Sequence, residues 1–280
     1  MEKANLPIPI LCRVLEVSRA GFYAWLHGLP SARAREDERL RELILAAFVK
    51  GRGHYGSPRI HRELRPERIS RKRVIRLMQE EGLAARVRRR FRCTTDSSHV
   101  LPVARNILAR DFKADAPNQR WAGDTTGLVT PSGRLFLATI VDLDSRFVVG
   151  WALSAVNARR LTLTALDMDI RRRCPKKGLL HHSDSGSTYA SEGYQNVLES
   201  HGIDCSMSRR GNCYDNAAME SWNSTLKAVL GEHFDSPADA KEKCFDYSEV
   251  FYNQKRLHST IDYRSPAEFE RIHRQSAIAA

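Results

Sequence analysis

The chain has 280 residues, 42% of them hydrophobic, which is enough for two ordinary cores. No apolar run approaches the roughly 18 residues of a membrane helix, and six cysteines without a Cys-x-x-Cys pair argue against a disulfide scaffold or a zinc knuckle. The formal charge is +12, and the first 112 residues carry all of the excess, with 24 Lys and Arg against 12 Asp and Glu. That asymmetry points to a polyanion bound mainly by the first half, in a reduced cytoplasmic protein with no signal-like opening and no membrane partner.

Residues 10–27 have the pattern of a small helical hairpin. Ile10, Val14 and Leu15 recur at helical spacing, and Ser18 is placed to cap a second helix bearing Phe22, Trp25 and Leu26. An amphipathic helix follows within 30–52, marked by Leu40, Ile44 and Phe48. In Gly53-His54-Tyr55-Gly56-Ser57-Pro58, Ser57 is the expected cap and Pro58 the first helical residue. Arg65-Pro66 ends that short helix. Ser70 caps the next one, which carries Val74, Leu77 and Met78 and stops at Gly82. Two short helices, the second basic near its amino end, have the form of a helix-turn-helix entering a major groove. Arg59, Arg71, Lys72, Arg73 and Arg76 are its candidate DNA contacts, the last four on its outer face. Residues 1–86 are therefore expected to form a helical DNA-binding region. Residues 87–112 are expected to be a basic linker lying extended along a nucleic-acid backbone, with Arg88, Arg89 and Arg90 as further contacts.

From residue 118 the periodicity changes to strands. Gln119 to Val129 reads as a strand with Asp124 near its middle, followed by a turn at Thr130 to Gly133. Strands at Leu135 to Leu143 and Phe147 to Leu153 complete an antiparallel meander. A helix over 157–173 precedes a short strand, Leu179 to Ser183. A helix with Tyr194 and Leu198 then leads to a strand at Ile203 to Ser208. The loop at Arg209, Arg210 and Gly211 is basic and is expected to position a DNA strand. In the next helix Met219, Trp222 and Leu226 form an apolar face. Glu220 and Lys227, seven residues apart, share another face, where Lys227 is placed to hold a phosphate. Asp215 or Asn216 is the expected cap of this helix. The last expected helix spans 237–252.

Three acids stand out. Strands disfavour Asp, and an unpaired buried charge is costly, so Asp124 needs compensation. Asp184 falls at a strand's carboxyl end, where open α/β sheets bind ligands, and Gly186 lets the chain leave sharply. Three carboxylates on a strand, a strand end and a helix suit two hard cations, which in phosphoryl chemistry serve the attacking and the leaving oxygen. The competing acids are Asp142 and Asp144 at a turn, Asp167 and Asp169 on a polar helical stripe, Asp204, and Asp215. His181 and His182 are expected to shape the pocket or to touch phosphate.

The acids lie in Trp121-x-x-Asp124, in His182-Ser183-Asp184-x-Gly186-x-x-Tyr189, and in Asp215-Asn216-Ala217-x-x-Glu220-Ser221. Thirty-five residues separate Asp184 from Glu220. This set resembles the catalytic core of retroviral-integrase-like DDE transposases, and more narrowly the OrfB transposases of the IS-three family of bacterial insertion sequences. The Tyr55-Gly56-x-x-Arg59-Ile60 stretch resembles the helical domain that precedes that core. Tyr252-Asn253-x-x-Arg256-x-His258 and Tyr263-x-Ser265-Pro266-x-x-Phe269 resemble the family's carboxyl-terminal signature, expected to pack on the core.

The resemblance implies a ribonuclease-H-like α/β core over 113–275. It implies Asp124, Asp184 and Glu220 as catalytic and metal-holding residues for two Mg²⁺ or Mn²⁺ ions. It also implies cleavage and strand transfer at transposon ends through a copy-out-paste-in route. The implied partners are the terminal inverted repeats, target DNA and an upstream OrfA-type protein or fusion, with homo-oligomers on DNA in a nucleoid-associated setting. No leucine-zipper heptads and no His/Cys zinc cluster occur in the chain. A DNA-binding regulator with an inactive core, and a ribonuclease-H-type nuclease acting on hybrids, are the rival readings.

Overall fold

In the computed structural model the residues described are 7–28, 30–86 and 101–279. Arg88, Arg89 and Arg90, with the first part of the expected linker, lie outside them. The amino-terminal half is helical. Helices α1 (Ile8–Val14) and α2 (Arg19–His27) form a hairpin, and the Ser18 hydroxyl accepts from Gly21 N at 2.9 Å, as the capping pattern predicts. Helices α3 (Ala32–Lys50), α4 (Ser57–Glu63) and α5 (Arg71–Glu80) enclose a small core of Leu40, Ile44, Ile60, Leu64, Val74 and Leu77. Helix α4 starts one residue earlier than expected: Gly56 is its N-cap, and Ser57 is already helical. At the end of α5, Gly82 adopts φ 65° and Leu83 N donates to Met78 O at 2.8 Å, a left-handed stop that glycine tolerates.

The second half is built on a five-stranded sheet of order β3-β2-β1-β4-β5. Strands β1 (Arg120–Thr130), β2 (Gly133–Asp142) and β3 (Val148–Ser154) form the antiparallel meander. Strands β4 (Leu180–Ser183) and β5 (Asp204–Met207) run parallel to β1. Alternation along β2 explains the two-sided burial. Leu135, Leu137 and Val141 face one core, which also holds Met219, Trp222 and Leu226 of α8 (Ala217–Leu230). Ala138 and Ile140 face the other, with Leu161, Ala165 and Leu166 of α6 (Arg159–Arg173) and Tyr194 and Leu198 of α7 (Glu192–Ser200). Helices thus cover both faces of a sheet with parallel strands, as such sheets require. On β1, Asp124 has the parity of Ala122 and Leu128, which puts it on the α8 face.

Three elements depart from expectation. The last expected helix is α9 (Pro237–Phe245) only, and it runs on into a π-helical turn, Asp246–Tyr252. Asn253 N donates to Ser248 O at 3.1 Å, five residues back, and the wider turn buries Tyr247, Ser248, Phe251 and Tyr252. An unexpected helix, α10 (Pro266–Ala279), follows. Asp169 is not on a polar stripe. It is fully buried, and its carboxylate fills the space beside Gly150 of β3, where a Cβ would meet Asp169 Oδ1 at 1.9 Å.

The carboxyl-terminal signature packs, as expected. Asn253 accepts from Val148 N at 2.8 Å and donates to Val148 O at 3.1 Å, pinning the start of β3. Residues 255–257 also carry the helical half, because Leu257 N donates to the Tyr55 hydroxyl at 2.9 Å and Leu257 packs on the helical core. Cys12, Cys174, Cys205 and Cys244 are free thiols. Among the described residues no helix is long and apolar enough to cross a membrane.

Candidate active site

The sheet brings the acids toward one another. Parallel pairing of β1 with β4 matches Ala122 with His182. Two residues further on, Asp124 and Asp184 reach the same level on neighbouring strands, whose spacing is about 4.8 Å. Just beyond the end of β4, Gly186 N donates to Asp184 Oδ1 at 3.0 Å. A Cβ on Gly186 would meet that oxygen at 2.9 Å, so a larger residue there would displace the Asp184 carboxylate. Helix α8 packs on the Asp124 side of β1 and carries Glu220 in its first turn.

Burial, then the charge of Asp184 and more weakly that of Glu220, push the Asp124 carboxyl up to about 8. Two donors oppose this. Thr125 N reaches Asp124 Oδ1 at 2.8 Å, and the Asn223 amide of α8 reaches Oδ2 at 2.7 Å. The Glu220 carboxyl is also raised, by burial, and among the described residues no hydrogen bond or ion pair engages it. Tyr189 lies beside both aspartates. Its phenol is raised well above its ordinary value by burial and by the charges of Asp124 and Asp184, and it shares a 3.2 Å hydrogen bond with Thr125 Oγ1.

Asp124 is buried and feels the charges of both other acids, and Glu220 is raised by burial, so this group of carboxylates favours a positive partner. All-oxygen donors with raised proton affinity fit a hard divalent ion. Among the described residues no three His, Cys, Asp or Glu side chains close into a ready-made metal shell.

The two histidines are buried rather than facing phosphate. His182 bonds Ser206 Oγ at 2.9 Å and Ser208 Oγ at 3.1 Å, and burial lowers it to about 4. His181 bonds the Tyr194 hydroxyl at 3.1 Å, and burial lowers it to about 3. Both rings are neutral and structural. Asp215 is no helix cap. Its buried carboxylate accepts from Arg209 and Arg110, and the Arg209 guanidinium holds it well below the usual carboxylate range. Asn216 is the N-cap by position only: its side-chain oxygen accepts no bond from α8, and its amide donates to Gly123 O at 3.2 Å.

The expected DNA contacts divide by environment. Arg71 and Lys72 are exposed at the start of α5. Arg73 and Arg76 do not share that outer face: they bond the two oxygens of Asp37 on α3 at 2.7 and 2.6 Å. Arg59 is half-buried between the two halves of the chain, donating to Leu257 O at 2.8 Å with its guanidinium over the Tyr55 ring. Arg209 spends its head group on Asp215, whereas Arg210 is exposed beside Gly211. Lys227 lies two turns along α8 from Glu220, about 10 Å on helical rise, and pairs with Glu232 at 3.2 Å. Asn223, Tyr189 and Asn216 belong to the site and are not evident from the acid pattern. Tyr189 and Asn216 stand within the motifs that flank Asp184 and Glu220, and Asn223, three residues after Glu220, is on the same helical face.

Residues 114–213 and 201–266 match family models described as Integrase core domain, and residues 35–91 match one described as HTH-like domain. A 31 kDa protein of insertion element IS600 from Shigella sonnei is 42% identical over 95% of this chain and 100% of its own length. Transposase InsF for insertion sequence IS3A, from Escherichia coli (strain K12), is 39% identical over 96% of this chain and 95% of its own. The chain belongs to the IS3 family of insertion-sequence transposases. The magnesium-bound catalytic core domain of HTLV-2 integrase aligns with 56% of this chain and 99% of that one, at 17% identity and a TM-score of 0.45. The transposase is therefore a DDE-type polynucleotidyl transferase with a ribonuclease-H-like core and a helix-turn-helix-like region ahead of it.

Proposed function

We propose that Asp124, Asp184 and Glu220 are the catalytic acids of this transposase, and that together they hold two Mg²⁺ or Mn²⁺ ions. The observation that carries this is the placement of the acids, Asp124 and Asp184 each two residues beyond the Ala122–His182 pair of β1 and β4 and Glu220 in the first turn of the helix packed on β1, with burial and the charges of Asp184 and Glu220 pushing the Asp124 carboxyl up to about 8. When bound, the paired cations supply activation of the attacking oxygen and neutralisation of the leaving one. The chain's own residues do the positioning. Asn223 and Thr125 N fix the direction of the Asp124 carboxylate, Gly186 N fixes that of Asp184, and the packed face of α8 fixes the approach of Glu220.

The reaction is a cut at a transposon end followed by attack of the freed 3′-hydroxyl on a second phosphodiester, by the copy-out-paste-in route usual in this family. Arg71, Lys72, Arg210 and Lys227 contact phosphate. Lys227 exchanges Glu232 for the backbone when DNA arrives, and Arg88, Arg89 and Arg90 supply further positive charge for phosphate. Assembly on DNA is oligomeric, with an OrfA-type partner completing end recognition.

The test is incubation of the full chain with a duplex ending in the element's own terminal inverted repeat, with and without Mg²⁺. Metal-dependent nicking and joining are expected. Absence of nicking with every divalent ion, in protein that binds the duplex, contradicts the reading.

A further inference from the structure

We propose that Asp215 is a positioning residue for Glu220, and that residues 104–112 act as a strap, holding the catalytic helix in register through Asp215. The proposal rests on the catalytic reading of Glu220 above. It starts from a carboxylate with no exposed surface, which must be fully satisfied to stay ionised. Arg209 donates to it three times: from its backbone N at 3.1 Å, from Nε at 2.8 Å and from Nη2 at 2.9 Å. The remaining donors come from more than a hundred residues upstream. Arg110 Nε reaches Oδ1 at 2.8 Å, and Asn106 Nδ2 reaches Oδ2 at 3.0 Å.

The strap is docked on protein, not laid along a nucleic-acid backbone as the sequence suggested for this part of the linker. Ile107 N and Leu108 N both donate to Ser206 Oγ of β5, at 2.9 and 3.1 Å, and Leu108 is buried in the core shared with α8. Ala109 and Arg110 adopt left-handed backbone, at φ 48° and 66°, which L-residues disfavour. Asn106 Oδ1, accepting from Ala109 N at 2.8 Å, holds that bend and aims Arg110 at Asp215.

The strap, Asp215 and its neighbour together reach every element that bears an acid. The ring of His182, two residues before Asp184, bonds Ser206 Oγ, the same hydroxyl that accepts from Ile107 N and Leu108 N of the strap. Asn216 donates to Gly123 O, one residue before Asp124. Helix α8 begins at the next residue, and Glu220 stands in its first turn. A shift at Asp215 therefore moves Glu220 relative to both aspartates.

The experiment uses the full chain and a terminal-repeat duplex, with three readouts: melting temperature, duplex affinity, and single-turnover nicking rate as a function of Mg²⁺ concentration. The variants are Asp215→Asn, the strap pair Asn106→Ala with Arg110→Ala, Arg110→Lys and Glu220→Gln. For Asp215→Asn and the strap pair, the expected result is unchanged duplex affinity, a nicking rate lower by about ten- to a hundredfold and a higher Mg²⁺ requirement, with Arg110→Lys recovering most of the rate. Should Asp215→Asn fail to fold, the strap pair, which leaves the Arg209 clamp intact, carries the test. A folded strap pair that nicks at the wild-type rate with unchanged Mg²⁺ dependence overturns the proposal. So does a rate loss matched by a loss of duplex affinity. Full nicking by Glu220→Gln overturns the catalytic reading and this proposal with it, whereas nicking lost in Glu220→Gln but retained by the strap pair overturns this proposal alone.

Discussion

Asn223 of α8 donates to Asp124 Oδ2 across the gap between helix and sheet, at 2.7 Å. The bond links the middle of a strand to the helix bearing Glu220 and draws down the proton affinity that burial and two neighbouring acids raise. Replacing Asn223 by Ala removes the link without adding charge. Nicking of a terminal-repeat duplex is expected to fall by about ten- to a hundredfold, with duplex affinity unchanged. Single-turnover kinetics beside a binding titration check this.

Asp184→Asn removes one negative charge from the strand end and keeps the shape of the loop closed by Gly186. Metal-dependent strand transfer is expected to fall to background while DNA binding persists. Full strand transfer by this variant would refute the role assigned to Asp184.

The basic residues of the helical half separate into two behaviours. Arg71 and Lys72 are exposed, so Arg71→Ala and Lys72→Ala should each weaken duplex binding and lower its salt slope by about 0.9. Arg73 and Arg76 neutralise Asp37, which is only 7% exposed. Arg73→Ala should lower the melting temperature of the helical half and leave the salt slope in place. Salt-dependent binding isotherms and thermal melts distinguish the two.

The strand pattern was legible because alternation along β2 is a property of neighbouring residues. The three acids stand out in the sequence because each sits in a flanking motif, and the parity of Asp124 with Ala122 and Leu128 fixes the face it shares. What local sequence does not carry is the distant partner of a charge. Arg73 and Arg76 look like an outward basic stripe until α3 brings Asp37 beneath them, 36 and 39 residues away in the chain. Asp169 looks polar until Gly150, on another element, opens the space that buries it. Arg209 looks like a DNA contact until Asp215 folds back under it. The π-helical turn depends on burying Tyr247, Phe251 and Tyr252 against the sheet, a tertiary demand absent from helical periodicity.

His181 gives the pH dependence. Burial lowers it to about 3 from its ordinary 6.5, so the folded chain keeps the ring neutral where the unfolded chain protonates it. The unfolded state then binds more protons between those values. The stabilisation from this site is complete above pH 6.5, and it is lost as the pH falls toward 3. His181→Gln should flatten the acid limb of a melting-temperature profile, and an unaltered limb would assign the acid sensitivity elsewhere.

The most direct measurement is anomalous scattering from Mn²⁺ in crystals of the full chain bound to a nicked terminal-repeat duplex. The account predicts two peaks among Asp124, Asp184 and Glu220, beside the scissile phosphate. An ordered, DNA-loaded complex that is competent for joining, yet holds these carboxylates well over about 10 Å apart or its metal on other residues, would contradict it.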